Sequence, residues 1–270
     1  MTFALAYADA ALAVVKRDVL VFRTYRMRLP GSVLRAFAGV ALFYYVSRLV
    51  TVAPFYHPDA YFSFVVVGLV IMEFMFATLT ALPGRVRQEL VAGTFERFVV
   101  SPFGASSAVA SMTVFPLLMA FTTGVLTLTF ATVVFGMPMR WETASLALPI
   151  ALVGCLSFVA IALLATASVI YFKEAQAGVG VLTTAISFLG GFVFPVALLP
   201  AWIQWTSDVQ PFTPTVELLR NVLVGTPMEG SPWTGLAKIG VAALVLMPFS
   251  IWALGLAIRQ SQKRGTIIEY

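Results

Sequence analysis

The chain alternates long apolar runs with short polar punctuation. Apolar stretches long enough to cross a bilayer, which needs about 20 residues, are expected at 32–52, 61–82, 108–135, 144–172, 177–199 and 233–258. Ahead of the first, residues 7–29 show a different pattern. Leu12, Val15, Val19 and Phe22 share one face at helical spacing, Arg17, Thr24 and Arg28 lie opposite, and Asp18 and Arg26 blur the division. That amphipathic pattern predicts an interfacial helix anchored by Lys16, Arg17, Arg23, Arg26 and Arg28. Leu29-Pro30-Gly31 is expected to turn the chain into the first span, whose Arg35 and Arg48 are placed to snorkel.

Between the second and third runs, residues 85–107 are both charged and flanked by lipid-suited sequence. Gly93 interrupts what precedes it, Thr94 is expected to cap the next turn, and Pro102 stops it. Phe95, Phe98 and Val99 then share a face, while Glu96 and Arg97 point away. A helix this short is unstable alone in water, so its apolar face must dock on something. After the fifth run, residues 201–225 mix Trp202, Trp205 and Phe212 with Asp208, Glu217, Arg220, Pro211 and Pro214. This segment predicts two short helices dipping into the outer leaflet, because irregular backbone at that depth must be buried in protein or line a wet cavity.

Composition fixes the class. Hydrophobic residues make up 60% of the chain and charged residues 11%, against roughly 25% charged in soluble domains. The net charge of +5 comes from basic residues at the ends of apolar runs, where they set topology, so nucleic acid is excluded as a partner. Lys16, Arg17, Arg23, Arg26, Arg28, Arg85, Arg87, Arg97, Lys173, Arg259, Lys263 and Arg264 fall on one side of a six-span arrangement. That places both termini and the 85–107 loop in the cytoplasm. The first fifteen residues carry Asp9 and no basic start, so membrane insertion through the chain's own spans is expected rather than a cleaved signal.

Candidate chemistry is sparse. Cys155 is the single cysteine and His57 the single histidine, the latter in a His-Pro-Asp turn. No nucleophile–base pair, metal set or G-x-x-x-x-G-K-[ST] phosphate loop occurs, so no catalytic or metal-binding residue is assigned and ATP hydrolysis by that loop belongs to another polypeptide. Glu73, midway along the second span, is costly in lipid. Two readings stand for it: a residue of the substrate path, or a structural partner of a neighbouring helix.

Glu89, three residues, then Gly93-Thr94-Phe95-Glu96-Arg97-Phe98 and Ser101-Pro102 resemble the cytoplasmic motif of type-2 ABC exporter permeases. Gly191-Phe192-Val193-Phe194-Pro195, Leu199-Pro200-Ala201-Trp202, Pro211-Phe212-Thr213-Pro214 and Leu218-Leu219-Arg220 are similar to that family's fifth span and outer re-entrant segment. The resemblance implies an all-α membrane protein of six spans in a bacterial or archaeal cytoplasmic membrane. It implies a homodimer on two copies of an ATP-binding subunit, which holds the ATP and Mg; no cofactor is expected in this chain. It also implies that the short helix couples to that subunit, with Phe95, Phe98 and Val99 as apolar anchors and Glu89, Glu96 and Arg97 as polar contacts. Lys173 and Glu174 would form a second contact. The residues of the outer segment are Pro195, Pro200, Trp202, Pro211, Pro214, Glu217 and Arg220. The expected cargo is amphipathic or lipid-like, such as a drug or antibiotic, with a lipid-linked polysaccharide or teichoic-acid-type glycan as the alternative. From another class, a secondary transporter would use Glu73.

Overall fold

The computed structural model describes residues 2–24, 28–49, 55, 57–101, 104–172, 175–228 and 230–264. Pro102, Lys173 and Glu174, together with Arg26, lie outside the described residues. The described residues form helices and turns, with no strand among them. In chain order the helices are α1 (Thr2–Thr24), α2 (Arg28–Leu49), α3 (Pro58–Leu79), α4 (Ala81–Val91), α5 (Glu96–Val99) and α6 (Ala105–Ser111). They continue as α7 (Val114–Phe135), α8 (Ala147–Phe172), α9 (Ala175–Leu189), α10 (Ala201–Val209), α11 (Phe212–Val224) and α12 (Pro232–Lys263).

Four helical stretches are long and apolar enough to cross a membrane: Pro58–Val91, Ala105–Phe135, Ala144–Phe172 and Pro232–Lys263. The protein is therefore a helical, multi-pass membrane protein. The other two expected spans differ. Helix α2 has 22 residues but carries Arg35 and Arg48, and it begins at Arg28. Leu29-Pro30-Gly31 is thus its first turn instead of a separate bend, because proline is tolerated where backbone N–H groups have no helical partner. The run expected at 177–199 is not one helix: α9 ends at Leu189 after 15 residues. Gly191 follows with φ +68°, and Pro195 opens a short 3₁₀ turn at Val196–Leu198. Glycine accepts the left-handed backbone and proline has no N–H to continue a ladder.

Helix α3 is the hub, packed by α2, α7, α8, α9 and α11. Its residues from Tyr61 to Leu79 are mostly buried. Gly68 permits the closest approach: a Cβ there would lie 1.8 Å from the Phe192 carbonyl oxygen. The most extensive pairing is α8 with α12. Two interhelical hydrogen bonds tie it, Ser157 Oγ to the Ile239 carbonyl at 3.0 Å and Ser261 Oγ to the Ile170 carbonyl at 3.1 Å. Helix α11 seals the assembly by stacking Phe212 on Phe158, with ring centroids 4.3 Å apart. In α7 the hydroxyls of Thr122, Thr127, Thr129 and Thr132 bond back to carbonyls of their own helix, so they do not bridge helices. The five tryptophans, Trp141, Trp202, Trp205, Trp233 and Trp252, all lie on the outside of the bundle and are each more than half exposed.

Candidate coupling surface and outer clip

The segment from Glu89 to Val100 is built by backbone chemistry first. Helix α4 ends with Gly93 at φ +67°. The Thr94 N–H returns to the Glu89 carbonyl at 3.0 Å and the Gly93 N–H to the Leu90 carbonyl at 3.0 Å. This pair of bonds is the Schellman arrangement, which satisfies carbonyls that a helix end leaves free. Thr94 does not cap the following turn. Its hydroxyl points backward, donating to the Glu89 carboxylate and its carbonyl, and the N-cap of α5 is Phe95, with no side-chain cap.

The Phe95 ring is 1% exposed and belongs to the chain's own core. Within this chain Phe95 is therefore an internal peg of the loop. The physical reason is that an apolar face seeks the nearest dry surface, and the core cluster that also holds Leu90 of α4 and Ala105 and Val109 of α6 supplies one within the chain. Phe98 and Val99 are half-buried against the same core. Outward there remain Val91, Ala92, Gly93, Glu96 and Arg97, with Val100 at 81% exposure.

Helix α1 clamps this segment. Arg17 Nη1 donates to Glu89 at 2.9 Å, and its guanidinium lies 5.9 Å from the Phe98 ring centre. Asp18, only 3% exposed, accepts from Arg85 Nη1 at 2.7 Å. The same Arg85 nitrogen donates to the Met112 carbonyl at 3.1 Å. That carbonyl is free because Pro116, four residues on, has no N–H. The Ala105–Phe135 stretch, which matches the expected third span, accordingly carries a turn between α6 and α7 at Met112–Thr113. Sequence reasoning missed Arg17, Asp18 and Arg85. The available signal was Asp18 itself, an acid set between Val15 and Phe22 on the apolar face of a basic helix.

At the other end of the bundle, Arg220 is 2% exposed. It donates from Nε to the Phe64 carbonyl at 2.9 Å, from Nη1 to Gly191 at 2.8 Å and from Nη2 to Phe192 at 2.6 Å. Its guanidinium sits 3.3 Å from the Phe64 ring centre. One planar fork therefore clips the irregular 190–199 segment onto α3 from α11. Pro195, Pro200 and Pro211 stand at the N-caps of the 3₁₀ turn, α10 and α11, and Pro214 lies in the first turn of α11. Trp202 is exposed on α10. Glu217 and Arg220 border a chamber of about 710 Å³ with Phe55, His57, Ser63, Phe64, Thr213 and Thr226. Glu73 pairs with Arg35 at 3.6 Å, bringing α3 to α2. Arg48 pairs with Asp59 at 2.6 Å.

A bundle of apolar helices, with a capped, salt-bridged turn at one end and irregular backbone clipped by a buried arginine at the other, makes this a multi-pass helical membrane protein. The sequence profile of the family described as ABC-2 type transporter matches residues 11–224, and the chain belongs to that family. It is a transmembrane permease of the ABC transporter class. The chain is also similar to nodulation protein J of Rhizobium meliloti (strain 1021), with 30% identity over 92 residues. That match covers 33% of this chain and spans about a third, 34%, of the relative's length.

Proposed function

We propose that the chain is the permease of an ATP-driven exporter, working as a homodimer on two copies of a separate ATP-binding subunit in the cytoplasmic (inner) membrane of a bacterium or archaeon. Its cargo is amphipathic or lipid-like, such as a drug or antibiotic. The observation that carries the reading is the way the 89–100 segment is held to the fold while leaving an exposed rim. Phe95 pegs it from below, the Gly93 cap closes it and Arg17 braces it, while the side chains of Glu96, Arg97 and Val100 stay exposed on the outside. Those three residues are the docking surface. ABC-2 permeases generally work with an ATP-binding subunit, and the chain contains no phosphate loop of its own.

A lipid-linked glycan is the second reading of the cargo. The outer chamber favours it, since it sets the Phe55 ring beside the polar groups of His57, Thr213, Glu217 and Thr226. The test is purification in mild detergent from native membranes, with co-purifying proteins identified by mass spectrometry. A stoichiometric ATP-binding-cassette protein is expected with the wild type and is lost from the Arg97→Glu, Val100→Asp double variant. Recovery of the chain alone as an intact homo-oligomer overturns the reading and moves attention to transport coupled through Glu73.

A further inference from the structure

A crevice of about 580 Å³ opens between α2, α3 and α7, bordered by Arg35, Gly39, Glu73, Thr80, Thr123 and Thr127. Its polar groups are unequal. The hydroxyls of Thr80 and Thr127 are spent on carbonyls of their own helices. Among the described residues Arg35 is the only cation on the lining, and its side chain is 75% exposed against 29% for Glu73.

The contact between them is loose. At 3.6 Å it exceeds hydrogen-bond distance, whereas Arg17–Glu89, Arg48–Asp59, Arg85–Asp18 and Lys238–Asp208 close to between 2.6 and 2.9 Å. Glu73 therefore offsets the charge of Arg35 without occupying its N–H donors. Arg35 sits roughly 10 Å inside the start of α2 at ~1.5 Å per residue, and Glu73 lies near the middle of the Pro58–Val91 stretch, so both are within the membrane-crossing part of the bundle. A charge held there in lipid, paired but unsaturated, is poised for an anionic ligand.

We propose that this crevice binds the phosphate of an amphipath taken from the surrounding bilayer, with Arg35 as the binding residue and Glu73 as the counter-ion that the phosphate displaces. A guanidinium grips a phosphate through two parallel N–H bonds, which the loose Glu73 contact does not match. The apolar wall of Leu69, Val70 and Phe76 receives the start of the chain. This assignment rests on the exporter reading and narrows its cargo to phosphate-bearing amphipaths.

The test uses the full chain in an uncharged detergent, without partner or ATP, so its failure leaves the exporter reading to the co-purification experiment. Native mass spectrometry measures bound lysophosphatidic acid against monoacylglycerol. Wild type is expected to prefer the phosphate. Arg35→Gln reduces that preference about tenfold, equivalent to about 1.4 kcal/mol. Glu73→Gln strengthens it by a similar factor, a gain that a misfolded variant does not produce. Competition then separates the sources. Phosphatidylglycerol displacing the probe at parity supports a site for bulk phospholipid phosphate, and failure to displace it supports a cargo phosphate. Unchanged binding by Arg35→Gln, or weaker binding by Glu73→Gln, overturns the proposal.

Discussion

Replacing Arg220 by methionine isolates the outer clip. The guanidinium supplies hydrogen bonds to three carbonyls. Phe64 lies within α3, so its carbonyl keeps its intrahelical bond. The carbonyls of Gly191 and Phe192 lie in the irregular segment and accept no backbone bond among the described residues. Two buried acceptors are thus orphaned, each at roughly 1–3 kcal/mol. Methionine spares the desolvation of a buried cation, which draws the total toward the lower half of that range, about 3 kcal/mol. Lysine keeps the charge but not the planar fork, so Arg220→Lys is expected to lose about half as much. Cys155 is the only cysteine and lies part-buried in α8, so a thiol-reactive dye reports unfolding directly during a thermal ramp in detergent. The expected order of midpoints is wild type, then lysine, then methionine. A methionine variant that melts with the wild type would refute the clip, showing that the 190–199 segment is held by something other than Arg220.

Phe95→Ala removes a fully buried ring and should cost roughly 3–5 kcal/mol, visible as loss of folded yield. Val100→Ala should leave the melt unchanged and weaken recovery of the ATP-binding partner; the reverse pattern would restore Phe95 as the exposed anchor. Asp18→Asn, Arg85→Gln and their combination form a double-mutant cycle. A coupling of about 2 kcal/mol is expected, below the ~3–5 kcal/mol of a fully buried pair because Arg85 keeps 24% of its side-chain surface exposed. Additive melts would mean that the ion pair carries no stability. Gly68→Ala places a methyl 1.8 Å from the Phe192 carbonyl oxygen and should displace the segment after α9, read as faster proteolysis within 190–199 with the 89–100 end unaffected.

The apolar runs were legible because lipid demands uninterrupted hydrophobic length, and four of them became helices long enough to cross. Gly93 was legible as a stop for the same kind of reason: a left-handed backbone position calls for glycine. What failed was direction. The spacing of Phe95, Phe98 and Val99 defines an apolar face without saying whose core receives it. Thr94 lay between two helices and served the earlier one. The ends of the fifth run were misjudged although Gly190, Gly191 and Pro195 were in plain view, because hydropathy averages over the breakers that matter locally. Arg220 and Phe64 are 156 residues apart in sequence, and a side chain bonded to backbone carbonyls leaves no complementary residue to find. Arg85 and Pro116 share that difficulty, since the proline's contribution is a carbonyl left empty four positions earlier.

The peripheral placement of all five indoles has a practical corollary for spectroscopy. Since none is packed in the interior, their emission has little environmental change to report when the helices come apart, and a tryptophan-detected melt would understate how much structure is lost. The same arrangement makes them contact gauges for the surrounding solvent. Brominated lipids should quench Trp202 and Trp205 according to their depth, and a soluble quencher should reach whichever indoles stand clear of the acyl chains. The chain's natural chromophores thus measure where the bilayer sits around the protein.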